Sequence, residues 1–106
     1  MKLWLSSFVI LLFISPAGFA SSRSQRAHGA SLFNASGCSH CHTIRNAGGH
    51  KGPDLSGVGR RMKKGQIRKQ IVEGSKRMPP FGDDLKDADL ADLISYLRSC
   101  RYKKKM

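Results

Sequence analysis

Apolar residues along the chain fall into one uncharged block and three shorter periodic groups. The block, Leu3 to Ile14, follows Lys2 and gives way to Ser15-Pro16 and the small-residue end Ala17-Gly18-Phe19-Ala20. A basic start, a short apolar stretch and small residues in that order predict a secretory signal peptide over residues 1–20, cleaved after Ala20. An uncleaved anchor is the alternative, but the block falls short of the roughly 20 apolar residues that span a bilayer. Residues 21–27 are polar and read as a flexible lead-in. Ala30, Leu32 and Phe33 predict a short helix from His28 that ends at Gly37, a residue suited to closing a helix. Ile67, Ile71 and Val72 predict an amphipathic helix over Gly65 to Glu73, stopped at Gly74, with a basic polar side made of Arg68, Lys69 and Gln70. Leu90, Leu93, Ile94 and Leu97 recur at i, i+3, i+4 and i+7. Asp87 and Asp89 before them and Arg98 and Arg101 after them complement the helix dipole.

The intervals between these groups read as loops. Asn46 to Gly59 is rich in turn formers. Met78-Pro79-Pro80-Phe81-Gly82 cannot continue a helix, because proline lacks an amide donor and pushes the preceding residue toward extended backbone. Arg101 to Met106 is a basic tail. With no repeat and no useful β-pattern, the expectation is an all-α domain over residues 28–100.

Candidate chemistry concentrates in Cys38-Ser39-His40-Cys41-His42. Cys-x-x-Cys-His is the spacing at which two thiols add to the vinyl groups of a porphyrin and the adjacent imidazole reaches the iron, so it predicts one covalently attached haem c. A zinc site needs a second ligand pair, and a thiol-redox pair needs a strand and helix context; neither stands nearby in the sequence. For the other axial position Met78 is the best placed residue, since Pro79-Pro80 stiffens the loop that carries it. Met62, among Arg60, Arg61, Lys63 and Lys64, reads as a surface or packing residue. His28, His40 and His50 read as solvent-exposed, with His50 the rival ligand.

Charge and size narrow the partners. The 106 residues carry 19 Lys+Arg against 7 Asp+Glu, a formal net charge of +12. Lys2 leaves with the leader, so 86 residues with a charge of +11 remain, enough for one small domain. The only tryptophan, Trp4, also lies in the leader. A chain this short needs a cofactor or staple to complete its core, and the haem-free form is expected to be unfolded. Nothing resembles a nucleic-acid platform or recognition helix. The basic surface points instead to acidic redox protein partners.

Gly29 to Phe33 with the Cys38–His42 motif, Gly52-Pro53-Asp54-Leu55, Met78-Pro79-Pro80-Phe81, and Leu90 to Leu97 with Tyr96 together resemble a class I c-type cytochrome of the short bacterial kind, over roughly residues 29–100. The resemblance implies a cytochrome c fold, a few short helices around one haem. The first and last helices would cross, with Gly29 and Phe33 against the face bearing Tyr96. It also implies that the Pro53 carbonyl accepts a hydrogen bond from His42, that Arg60 approaches a haem propionate, and that haem is attached in the periplasm. Two features depart from the pattern. Lys86 stands where a serine or threonine cap is usual, leaving Asp87 as the expected cap. Cys100 is an additional thiol, read as free in a monomer, with a Cys100-linked dimer as the alternative.

With His42 and Met78 both on iron there is no open coordination position, so the expected role is a non-enzymatic carrier of single electrons, free or as the haem subunit of a larger oxidoreductase. After signal cleavage no stable membrane insertion is expected. Arg60, Arg61, Lys63, Lys64, Arg68, Lys69, Lys76 and Arg77 would steer acidic partners to the haem edge, or serve solubility alone. The alternatives are a haem-based gas sensor or peroxidase-like protein with a displaceable sixth ligand, and a colourless metal-binding or thiol-redox module.

Overall fold

The computed structural model describes residues 21–103. The expected signal peptide over residues 1–20 and the last three residues of the basic tail lie outside the described residues. Four helices frame the fold: α1 (Ser22–Ala35), α2 (Val58–Arg61), α3 (Lys64–Glu73) and α4 (Asp87–Ser99), with a short hairpin of β1 (Thr43–Ile44) and β2 (Ala47–Gly48). Among the described residues no helix is long and apolar enough to cross a membrane.

The first helix starts earlier than expected. Ser21 accepts a hydrogen bond from the Ser24 amide at 3.2 Å, capping the helix before the polar run begins. Residues 22–27 are therefore the first turns of α1, not a flexible lead-in. At its other end Gly37 adopts φ 81°, and this left-handed residue releases the chain into the Cys38–His42 motif.

The expected crossing of first and last helices is present, and Gly29 is the reason the helices come so close. A Cβ at Gly29 would collide with the Asp92 carbonyl oxygen and stand 2.7 Å from Tyr96 Cβ. One turn along, Phe33 meets Tyr96 edge to face, with centroids 6.0 Å apart and rings at 65°. His28 Nδ1 and Asp92 Oδ2 lie 2.7 Å apart on the outer side of the crossing. Phe33, Ile67, Ile71, Leu90, Leu93, Ile94 and Leu97 form the buried core with Val58 and Cys100, the α4 stripe supplying four of these nine as its periodicity requires.

Three local expectations need correction. Lys86, not Asp87, is the residue at the α4 cap position. It has extended backbone and no side-chain cap bond, and its carbonyl accepts the first helical bond from Leu90 at 2.8 Å. Asp87 is the first helical residue, where its charge acts on the helix dipole. The stretch read as loop from Asn46 opens instead in a hairpin, in which Thr43 pairs with Gly48 and Ile44 with Ala47 across a two-residue turn. Arg45 (φ 51°) and Asn46 (φ 69°) both take positive φ, the pattern that closes a tight hairpin. Finally, packing continues past Cys100. The Cys100 carbonyl accepts from the Gly59 amide at 2.8 Å, Arg101 Nη1 donates to the Gly59 carbonyl at 2.7 Å, and the Tyr102 amide donates to the Ser56 carbonyl at 2.9 Å. Arg45 lies over the Tyr102 ring at 5.5 Å. The segment after α4 is thus a strap binding α2 and the hairpin to α4.

Candidate haem site

The motif leaves α1 as a short 3₁₀ turn, Cys38–His40, in which the Cys41 and His42 amides both donate to the Cys38 carbonyl, at 3.2 and 3.0 Å. This tight winding turns Cys38, Cys41 and His42 toward one cleft of about 1150 Å³. The cleft is larger than the ~300–1,000 Å³ of ordinary small-molecule sites. It runs inward to an apolar recess whose walls include Phe33, Ile67, Leu93 and Leu97.

The loop after the hairpin is tied back onto the motif. Gly52 donates to the Cys41 carbonyl at 2.7 Å and Leu55 to the Thr43 carbonyl at 2.8 Å. Pro53 is thereby placed so that its carbonyl lies 2.8 Å from His42 Nδ1. A carbonyl oxygen only accepts, so Nδ1 carries the proton and Nε2 is left with its lone pair. Gly52 passes the ring so closely that a Cβ there would stand 2.7 Å from His42 Cε1.

Met78 lines the same cleft. Its loop is fastened at both ends to α3, through the Gly74 amide on the Gln70 carbonyl at 2.9 Å and the Phe81 amide on the Ile71 carbonyl at 2.9 Å. Gln70 Nε2 donates to Met78 Sδ at 3.5 Å. Met62, read from sequence as a surface or packing residue, is half-buried against the core and supplies a second thioether to the cleft wall. The remaining histidines do not line it. His28 is engaged with Asp92, and His40 is exposed. The buried Thr43 hydroxyl gives its proton to the Gly49 carbonyl at 2.6 Å, so His50 Nδ1, 3.3 Å away, donates to the hydroxyl oxygen.

Arg60, expected near a propionate, is exposed and does not line the cleft. Its neighbour Arg61 lines the cleft instead, with Nη2 donating to the Asp54 carbonyl at 2.9 Å. The reason is local: α2 is a single turn, and only one of two adjacent arginines faces inward. Of the other expected steering residues, Lys76 and Arg77 line the cleft, joined by Lys51, while Lys63, Lys64, Arg68 and Lys69 do not. Burial pushes the Cys38 thiol above its ordinary range. That is the opposite of an activated redox cysteine, whose environment stabilises thiolate. Among the described residues no group of three His, Cys, Asp or Glu side chains is placed to hold a metal ion.

Two thiols and an imidazole on an apolar-backed cleft, with the imidazole already held by its other nitrogen, fit a covalently attached haem. A family model described as cytochrome C oxidase, cbb3-type, subunit III matches residues 24–97. The chain belongs to this family of c-type cytochromes. Its mostly helical architecture is that of a small cytochrome c, and the family carries covalently bound haem c with iron. No curated protein and no solved structure gives a match.

Proposed function

We propose that this cytochrome carries single electrons through one haem c attached by Cys38 and Cys41, with His42 and Met78 as the axial ligands. The observation that carries this reading is the convergence of His42, Met78 and both cysteines on one cleft. When bound, the haem iron supplies the one-electron Fe(III)/Fe(II) couple. His42 contributes Nε2, with its ring orientation and basicity set by the Pro53 carbonyl. Met78 contributes a thioether, a ligand that favours the ferrous state and raises the potential relative to a histidine pair. The apolar recess behind them excludes water from the iron.

With His42 and Met78 both holding the iron no coordination position would be open, so the role would be electron transfer and not catalysis at iron. Lys51, Arg61, Lys76 and Arg77 around the cleft suit the haem propionates and an acidic redox partner. Export to the periplasm through residues 1–20 agrees with the attachment chemistry. The family's description as an oxidase subunit favours service as the haem-bearing member of a larger oxidoreductase over free diffusion.

The test is the optical spectrum of the mature protein, made with haem-attachment machinery, oxidised, reduced and exposed to carbon monoxide. The expected result is a low-spin spectrum with a sulfur-to-iron charge-transfer band that carbon monoxide leaves unchanged. Met78→Ala loses the band and Met62→Ala retains it. A high-spin or carbon-monoxide-sensitive parent would move the function to ligand sensing or peroxidase-like chemistry.

A further inference from the structure

Gln70 occupies an anomalous position. It lies between Ile67 and Ile71 at helical spacing, so it shares the face by which α3 enters the core, while its other neighbours Arg68 and Lys69 are exposed. The sequence pattern assigns it to the basic polar side of the helix; the structure puts it on the wall of the cleft and of the recess behind it. A primary amide on an apolar wall carries a desolvation cost unless it finds a partner. The partner here is a methionine sulfur: Nε2 donates to Met78 Sδ at 3.5 Å. The contact is not a chance meeting of two mobile groups. Backbone bonds fasten the loop to α3 at Gly74 and at Phe81, and the Ser75 amide on the Met78 carbonyl at 2.9 Å closes the turn within it.

We infer that Gln70 is the positioning residue for the axial thioether. A thioether sulfur has two lone pairs. The Gln70 amide takes one and leaves the other for iron, so it both restricts the rotation of the Met78 side chain and decides which side of the sulfur is presented. Holding the sulfur in place would strengthen its bond to iron in both oxidation states, and because the amide also draws electron density from the sulfur the gain would be smaller for the ferric ion, which raises the reduction potential further. This role rests on Met78 being the sixth ligand.

The test uses the haem-loaded mature protein, its Gln70→Leu variant, which has no donor, and its Gln70→Glu variant, which keeps the side-chain length but at neutral pH only accepts. Imidazole is titrated against the sulfur-to-iron charge-transfer band, and the reduction potential is measured alongside. Both variants are expected to keep the band in buffer, to lose it at roughly fivefold lower imidazole, the change one net hydrogen bond supports, and to show a lower potential. Parent-like imidazole midpoints in both variants would overturn the role. So would a weakened Gln70→Leu beside a parent-like Gln70→Glu, which would reduce Gln70 to filling space. A parent protein without the band would remove Met78 from the iron and this inference with it, whereas a parent with the band and indifferent variants overturns the inference alone.

Discussion

His42 Nδ1 donates to the Pro53 carbonyl across 2.8 Å, and the residue before that proline has no side chain to intrude on the ring. The bond fixes the tautomer and, with His42 as the proposed ligand, would make Nε2 a better donor and stabilise the ferric state. A backbone acceptor cannot be deleted by substitution, but it can be displaced. A Cβ at position 52 would stand 2.7 Å from His42 Cε1 and 2.9 Å from Nδ1, so Gly52→Ala forces the ring or the loop aside. The expected outcome is a higher reduction potential in the holoprotein and a reduced yield of haem-loaded chain. Voltammetry beside the parent checks it; an unchanged potential would mean that the loop absorbs the methyl without disturbing the bond.

The helix crossing gives a prediction opposite in sign to helix propensity. Alanine is the better helix former by about 1 kcal/mol in a helix interior. Gly29, however, faces the Asp92 carbonyl and Tyr96 Cβ at separations that leave no room for a methyl. Gly29→Ala must push α1 from α4, loosening the Phe33–Tyr96 contact. Overpacking of this kind costs typically about 1–3 kcal/mol net. Denaturant unfolding of the holoprotein is expected to show destabilisation in that range, and a stabilised variant would contradict the close approach.

Much of this arrangement was legible in the sequence because it rests on local periodicity and short motifs. The α4 stripe of Leu90, Leu93, Ile94 and Leu97 is buried as its spacing demands, and Gly37 and Gly74 stop their helices with positive φ. Cys38, Cys41 and His42 meet one cleft because their spacing leaves little freedom. What escaped has non-local or side-chain causes. A single capping hydroxyl at Ser21 turned a polar lead-in into helix. Arg60 and Arg61 are adjacent and chemically alike, and only the direction of one helical turn selects Arg61. Gln70 reads as polar surface until the Met78 loop folds back over it. The strap at Arg101 and Tyr102 joins α2 and the hairpin through backbone atoms, which composition does not reveal.

Cys100 is expected to stay a thiol. It is only 9% exposed, and its Sγ donates to the Tyr96 carbonyl at 3.4 Å, so it is poorly placed to reach a second molecule. Burial holds its pKa above the ordinary thiol range despite hydrogen bonds acting the other way. Labelling of the folded holoprotein by a thiol reagent at pH 8 is expected to be at least about tenfold slower than in denaturant, since thiolate is the reactive form. The linkage has a definite sign. Above about pH 8.5 the unfolded chain loses a proton that the native thiol retains, so stability falls as pH rises toward the native value. Cys100→Ser should remove that part of the decline. Rapid labelling, or a non-reducing dimer band lost in Cys100→Ser, would show that the thiol is accessible.

Lys51, Arg61, Lys76 and Arg77 share the cleft wall, and Lys63, Lys64, Arg68 and Lys69 stand apart from it. Charge close to the point of electron exchange should govern association more than charge elsewhere. Oxidation of the reduced protein by ferricyanide, an anionic one-electron oxidant, is therefore expected to slow as salt rises and the screening length falls below about 10 Å. Lys76→Glu should slow it several-fold more than Lys64→Glu at low salt. Equal effects of the two, or rates independent of salt, would assign these charges to solubility.

Haem loading should decide whether the chain folds at all. Within the described residues only nine apolar side chains are buried, and the cleft of about 1150 Å³ stands among them with its recess opening onto Phe33, Leu93 and Leu97. Without a group in that space the apolar cleft wall of Leu55, Met62, Met78 and Phe81 faces water, and α3 with the Met78 loop loses the surface it closes over. Domains of this length have little stability to spare and commonly depend on a staple or cofactor. The mature chain carrying Cys38→Ala and Cys41→Ala, made without haem attachment, is expected to show weak far-UV helicity and no cooperative thermal transition, beside a sharp transition in the holoprotein. A cooperative melt in the haem-free variant would mean that α1, α4 and the strap form a self-sufficient core, with the cofactor added to a finished fold.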